Sequence, residues 1–345
     1  MTGCCLSSQN HMAEITISTT GIEVSIVPYT PDHETFWDQF VRYSSRNGTL
    51  LHTRRFLQHN VLSIRNDASL LFFFKGKLIA ILPATIENRG GKLTLNSHQY
   101  STYGGLVVGM HTTFRLLERC IQLLIAYAKY HDIVEMIIRQ PPRIYHNYLS
   151  DEIDYVLWKC GFQMKFRECE LALDLTGAFV AHYKKSKKRN IAKALRDGIM
   201  VKISTDYAAF WRILTANLRD KHQVNPVHSL AQMQKLIELT GNAITLFGCY
   251  LQGELIGGVL LFVANERVVH AQYIASDRRF QQHRAVDALI DHIAGWAKNQ
   301  GFRYFNLGMA NEPGGKLVNE SLFRFKEGFG ALGTSRDTVH ILFNT

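Results

Sequence analysis

The stretch VVHAQYIAS, residues 268–276, carries two side chains that can handle protons, His270 and Tyr273. An imidazole titrates near neutrality and can take a proton from an attacking amine. A phenol can return a proton to a leaving group or orient an acceptor. The two lie three residues apart, so on a regular strand they face opposite sides, and only a bulge would bring both to one cleft. Taken alone, either one reads first as a buried, hydrogen-bonded core residue. Farther on, Asn306, Gly308, Asn311, Glu312 and Asn319 gather after an apolar stretch, and Gly314-Gly315 adds a flexible loop. Ligands of α/β folds bind beyond the carboxyl ends of buried strands, which makes Asn306 and Asn311 candidate substrate contacts.

The cations point to an anionic ligand. Lys184-Lys185-Ser186-Lys187-Lys188-Arg189 places five positive charges in six positions. Lysines this dense repel one another unless an anion or solvent separates them. Lys187, Lys188 and Arg189 are therefore candidate phosphate contacts, with a solvated helix start as the alternative. Arg278, Arg279 and Arg284 stand ahead of a helical pattern and could hold a phosphate by charge-assisted hydrogen bonds. A solvated basic loop is the alternative there. The whole chain of 345 residues has a net charge of +10. It should attract tRNA, a nucleotide-linked or lipid-linked precursor, an acyl carrier, or an acidic membrane surface. The aromatic-plus-basic pattern of an RNA-recognition module is missing.

Other classes find no support. None of the six cysteines forms a C-x-x-C pair, and no Cys/His spacing suits zinc. Cys120 and Cys249 sit in apolar patterns and read as core residues. Without a disulfide framework a reducing, cytoplasmic setting fits best. The opening MTGCCLSSQNHMAEI lacks the apolar region of a signal peptide, and either Met1 or Met12 could be the start. No apolar run approaches the roughly 20 residues that cross a bilayer.

The elements that must position these residues occur twice. Hairpin patterns span 70–86 and 245–263, each turning at a glycine, Gly76 or Gly253, followed one residue later by Leu-Ile. An aromatic strand follows each, HQYSTYGGLVV with Tyr100 and Tyr103, and VVHAQYIAS. Helical patterns then cover 114–130, with Leu117, Ile121, Leu124 and Ala128 on one face, and 285–299, with Val286, Leu289, Ile290, Ile293, Trp296 and Ala297 on one face. Buried strands at 133–140 and 302–310 come next, then a second helix, a Gly-Phe, and a last strand ending near Leu175 and Phe343. A repeat of about 100 residues is too long for a solenoid unit. The chain therefore reads as an α/β protein of two duplicated domains with mixed sheets, 1–176 and 177–345, joined through residues 176–204.

The duplicated order, the linker S-K-K-R-N-I-A-K-A at 186–194 and the ending F-K-E-G-F-G at 325–330 resemble the FemABX-like group of tandem GNAT-fold proteins. That group comprises peptidyltransferases of peptidoglycan cross-bridges and uncharacterised bacterial relatives. The resemblance runs from about Phe36 to the end and is strongest from Lys184 onward. It implies two GNAT-like domains, the first structural and the second chemical, and a bacterial cytoplasmic enzyme that transfers an aminoacyl or acyl group to an amine. Aminoacyl-tRNA is the donor in the peptidoglycan enzymes, and a nucleotide- or lipid-linked muropeptide the acceptor. The family's Phe-Lys pair at the active site falls on Phe325 and Lys326. A cation there can stabilise the oxyanion of a tetrahedral intermediate.

Two departures matter. No long heptad insertion is present, so the coiled-coil arm of some members is absent. Acetyl-CoA enzymes of this fold carry Q/R-x-x-G-x-G/A before the central helix, where backbone N–H groups cradle pyrophosphate. Residues 278–285 contain no glycine, and Arg284 stands where one would be needed. Residues 109–113 of the first copy are no better a match. An acyl-CoA or acyl-carrier-protein N-acyltransferase is thus the second reading, and a non-catalytic anion-binding protein the third.

Overall fold

The chain enters through β1 (Ile15–Thr19), β2 (Ile22–Pro28) and the short helices α1 (Glu34–Gln39), α2 (Arg54–Leu57) and α3 (Val61–Arg65). The hairpin β3 (Leu70–Phe74) and β4 (Lys77–Leu82) follows, then β5 (Thr85–Arg89), β6 (Lys92–Asn96) and β7 (Val107–Val108). α4 (Phe114–Tyr130), β8 (Ile133–Arg139), α5 (Glu152–Lys159) and β9 (Gln163–Asp174) complete the first half. The second half runs α6 (Lys185–Arg196), β10 (Met200–Ser204), α7 (Tyr207–His222), α8 (Leu230–Thr240), β11 (Ile244–Leu251), β12 (Glu254–Val263) and β13 (Val268–Ser276). It ends with α9 (Ala285–Asn299), β14 (Tyr304–Met309), α10 (Glu320–Glu327) and β15 (Leu332–Leu342). This computed structural model describes residues 15–19, 22–97 and 99–343. Met1, Met12, Cys4 and Cys5 lie outside the described residues.

Local chemistry accounts for these elements. Both hairpins turn through two residues at positive φ, Lys75-Gly76 (49° and 72°) and Gln252-Gly253 (50° and 87°). Such turns match the twist of the flanking strands. The helical stripes bury as the periodicity requires. Leu117, Ile121, Leu124 and Ala128 are fully buried on α4, as are Leu289, Ile290, Ile293 and Ala297 on α9. Val286 and Trp296 are half-buried against the same core. Cys120 and Cys249 are buried, unpaired core residues. The lysine-rich stretch that looked like a linker forms helix α6, which packs on α9.

One expected strand is displaced. The counterpart of β13 in the first half is β6, not the aromatic stretch after it. β6 pairs in parallel with β8, as β13 does with β14. Tyr100 and Tyr103 lie in the connection beyond β6, and strand returns only at Val107–Val108. The alternating KLTLN presents Leu95 to the core, whereas the later segment is broken by Ser97, Ser101 and Gly104-Gly105.

The two halves share a sheet. Its order is β10-β11-β12-β13-β14-β9-β15-β8-β6-β5, while β1-β2-β3-β4-β7 form a second sheet. β9, from the first half, pairs antiparallel with β14 of the second. β15, from the second half, returns to pair with β8 of the first and with β9 itself. The last strands of the two copies are thus exchanged. This exchange carries Glu168, Glu170 and Arg336 to the seam between the halves. Among the described residues no helix is long and apolar enough to cross a membrane.

Candidate active site

β13 and β14 are parallel neighbours only from Val268–His270 against Tyr304–Asn306. Beyond that they part, and a bulge follows Asn306 at Gly308 (φ 78°). The opening is a cleft of about 360 Å³ lined by Ala271, Gln272 and Ile274 of β13 and by Leu307, Gly308 and Met309 of β14. Thr102 and Glu170 of the first half, with Leu322, Lys326, Arg336 and His270, complete its walls. Strands that part in this way leave backbone groups free to meet a ligand.

Lys326 reaches the cleft from α10, which Asn319 caps by accepting the Leu322 N–H. Its side chain is buried, not on a solvated helix face. Nζ donates to the carbonyl oxygens of Gly308 at 2.8 Å and Met309 at 2.5 Å. An ammonium has three donors, so one N–H is left without a partner among the described residues. Burial pushes the Lys326 pKa down to about 8, and the nearby Glu170 carboxylate and Cys169 thiol oppose that shift.

The floor of the cleft is a buried polar network. Asn306 Oδ1 accepts the Gly308 N–H at 2.7 Å, which fixes the amide orientation. Its Nδ2 donates to Tyr145 Oη at 2.9 Å and to Glu170 Oε2 at 2.6 Å. Tyr145 Oη lies 3.0 Å from His270 Nδ1. Arg336 donates twice to Glu168 Oε2, at 3.2 and 2.7 Å, and pairs with Glu170 Oε1 at 2.9 Å. Burial lowers the His270 pKa to about 4, so the ring is neutral at pH 7. Burial also raises the Tyr145 phenol well above its usual value, so it keeps its proton.

The remaining candidates are placed elsewhere. Gln272 is the extra residue of a bulge, so Phe262 faces His270 while Leu260 faces Tyr273. The bulge turns both side chains to one face of the sheet, but Tyr273 packs on Trp211 and meets His228 Nδ1 at 2.7 Å, outside the cleft. Phe325 faces away from Lys326 and covers Lys187. Asn311 staples its loop by accepting the Cys169 N–H at 2.7 Å. Arg278 pairs with Asp220, and Arg279 with Asp277 and Glu254, so carboxylates already balance both arginines.

Lys187 is not a free cation. It is buried, bonds Asp287 Oδ1 at 2.8 Å, and lies 3.6 and 4.4 Å from the ring centres of Phe325 and Phe329. Asp287 stands in the first turn of α9, the end where a helix attracts anions. Arg284, at φ 58°, caps that helix in the left-handed conformation that usually calls for glycine. Lys188, Arg189 and Arg284 remain exposed.

Sequence reasoning missed Glu170, Tyr145, Arg336 and Asp287. The first two belong to the other repeat, 136 and 161 positions from Asn306. Arg336 is a lone arginine on the last strand. Asp287 carried a local cue, an acid three residues after Arg284 at a helix start. Among the described residues no group of His, Cys, Asp and Glu could hold a metal ion.

Comparison with known proteins bears on the same architecture. The family model for an acetyltransferase (GNAT) domain matches residues 181–326. The solved structure of FemX is 12% identical over 92% of this chain and 97% of its own, with a TM-score of 0.71. L-PGS from Bacillus licheniformis is 14% identical over 92% and 93%, with a TM-score of 0.57. The C-terminal domain of a putative lysylphosphatidylglycerol synthetase from Agrobacterium fabrum is 12% identical over 76% and 80%, with a TM-score of 0.52. No curated protein sequence matches. At these identities the structural likeness is one of fold. A GNAT domain is thus matched in the second half of the chain, and the fold of FemX is shared along nearly its whole length.

Proposed function

We propose that this protein moves an aminoacyl group onto an amine acceptor in the cleft between β13 and β14, in the bacterial cytoplasm. The observation that carries the reading is Lys326, a buried ammonium at the cleft with one N–H unengaged among the described residues. The acceptor nitrogen attacks the donor carbonyl carbon, the carbonyl oxygen becomes an oxyanion, and the bond to the carrier then breaks. A fixed ammonium stabilises that oxyanion without reorganising, an effect worth about 10²–10³ in rate for a single donor.

The start of α9 supports a donor other than a conventional acyl-CoA. Helix N-termini bind pyrophosphate through free N–H groups and a positive end. Here a buried, ion-paired carboxylate, Asp287, already complements that end. The exposed Lys188, Arg189 and Arg284 suit a phosphate-bearing substrate, such as tRNA or a nucleotide- or lipid-linked precursor, at the surface beside it. A protein named for making lysylphosphatidylglycerol shares the fold, in keeping with aminoacyl transfer. An acyl-CoA or acyl-carrier-protein N-acyltransferase is the second reading, favoured by the match to an acetyltransferase domain.

A side-by-side donor assay tests both. One arm follows loss of the aminoacyl group from charged tRNA with muropeptide precursor present. The other follows thiol release from acyl-CoAs and acyl carrier protein with mixed amines. Loss of aminoacyl-tRNA that needs Lys326 is expected. Thiol release that needs Lys326 would replace this reading with the second. Silence in both arms would leave a non-catalytic anion-binding role.

A further inference from the structure

The protons of the cleft floor can be assigned one by one. Gly308 N–H occupies Asn306 Oδ1, so both Asn306 Nδ2 protons point outward, one to Glu170 and one to Tyr145 Oη. Tyr145 Oη, as an acceptor from Asn306, has its own single proton left to give. His270 Nδ1, 3.0 Å away, is the acceptor within reach. A neutral imidazole that accepts at Nδ1 carries its hydrogen on Nε2. Among the described residues Nε2 has no hydrogen-bond partner, and His270 lines the cleft.

We propose that His270 serves the reaction as a hydrogen-bond donor through Nε2–H to the substrate carbonyl oxygen, not as a base, and that Tyr145 is the positioning residue that fixes this tautomer. This rests on the acyl-transfer reading above. His270 and Lys326 then form a two-donor site for one oxygen, one donor neutral and one charged. The proton for transfer must leave the attacking amine by another route, through solvent or the leaving group. Tyr145 comes from the first half of the chain, 125 positions from His270. The first half thus takes part in the chemistry by setting which nitrogen of a second-half histidine bears hydrogen. The charged groups that face His270 are Glu170, Arg336 and Lys326.

The test needs no substrate in its first arm. The full-length protein is labelled with ¹⁵N-histidine, and the His270 resonances are assigned by their loss in His270→Gln. The wild type should show Nε2–H with unprotonated Nδ1 across pH 6–8, and Tyr145→Phe should show a mixture of tautomers. Nδ1–H in the wild type, or an unchanged ratio in Tyr145→Phe, would overturn the assignment whatever reaction the protein performs. The second arm uses the donor that the assay above identifies. Tyr145→Phe should lower kcat about tenfold with little change in KM. His270→Gln, whose amide N–H can stand near Nε2, should retain more activity than His270→Leu, which offers no donor. Leu equal to or better than Gln, or Tyr145→Phe as active as wild type, would sink the donor role. The acyl-transfer reading would survive either result.

Discussion

Phe325 and Lys326 are neighbours in the chain and face opposite sides of α10. The Lys326 ammonium reaches the carbonyl oxygens of Gly308 and Met309 in the cleft, while the Phe325 ring lies 3.6 Å from the ammonium of Lys187. One short helix therefore ties the cleft to the contact between α6 and α9. The glycines of F-K-E-G-F-G follow from the same packing. A Cβ on Gly330, at φ 74°, would come within 2.5 Å of His182 Cβ. Gly328 leaves room for Lys187, whose Cε would lie 2.8 Å from an added Cβ.

Lys326→Ala should reduce turnover by about 10²–10³ while the far-ultraviolet spectrum and cooperative unfolding persist. Among the described residues the buried ammonium makes no ion pair within 4 Å, so its loss removes a desolvation cost along with two hydrogen bonds. An Ala variant with wild-type turnover would remove Lys326 from the mechanism.

Activity and stability should respond oppositely above pH 8. The folded Lys326 pKa, about 8, lies below the ordinary 10.5. Turnover should therefore fall along a basic limb with an apparent pKa near 8, as the ammonium loses its proton. Between about 8 and 10.5 the unfolded chain binds the extra proton, so the contribution of this group to stability rises with pH in that window. A kcat profile and urea melts at pH 7, 8, 9 and 10, each with Lys326→Met as reference, separate the two effects.

Lys187→Ala should destabilise the fold by about 3–5 kcal/mol, because it leaves the buried Asp287 carboxylate unpaired. Lys187→Met combined with Asp287→Leu should recover much of that loss. Lys188→Ala and Arg189→Ala should leave the unfolding midpoint unchanged, since both side chains are exposed. They should weaken binding of a polyanion probe and flatten its dependence on salt. Chemical denaturation and a salt titration read the two outcomes. A Lys187→Ala variant as stable as wild type would show the pair to be dispensable.

Ending the chain at Ala331 should prevent folding of both halves, not of the second alone. β15 fills the gap between β8 and β9, and without it each presents an unpaired edge. Limited proteolysis of the truncated chain would show whether a resistant first half survives, and its survival would count against the exchange.

The sequence by itself determined the periodic elements. Helices α4 and α9 match the expected bounds of 114–130 and 285–299, because a buried stripe at a 3.6-residue period leaves no other conformation consistent with its burial. The hairpin turns were equally legible, since a positive φ selects glycine. The duplication and its resemblance to tandem GNAT proteins followed from the order of these landmarks. What only the tertiary structure decided is which residues meet. Lys187 and Lys188 are adjacent and chemically alike, yet one is buried against Asp287 and two phenylalanines while the other is exposed. His270 and Tyr273 share a face only because a bulge at Gln272 shifts the register, which no local pattern announced. Glu170 and Arg336 reach the cleft through the exchange of last strands, a pairing between segments more than 100 residues apart, and Tyr145 reaches it from the turn after β8. Local spacing encodes what a residue does within its own turn or strand, and contacts at such separation depend on how the whole sheet closes.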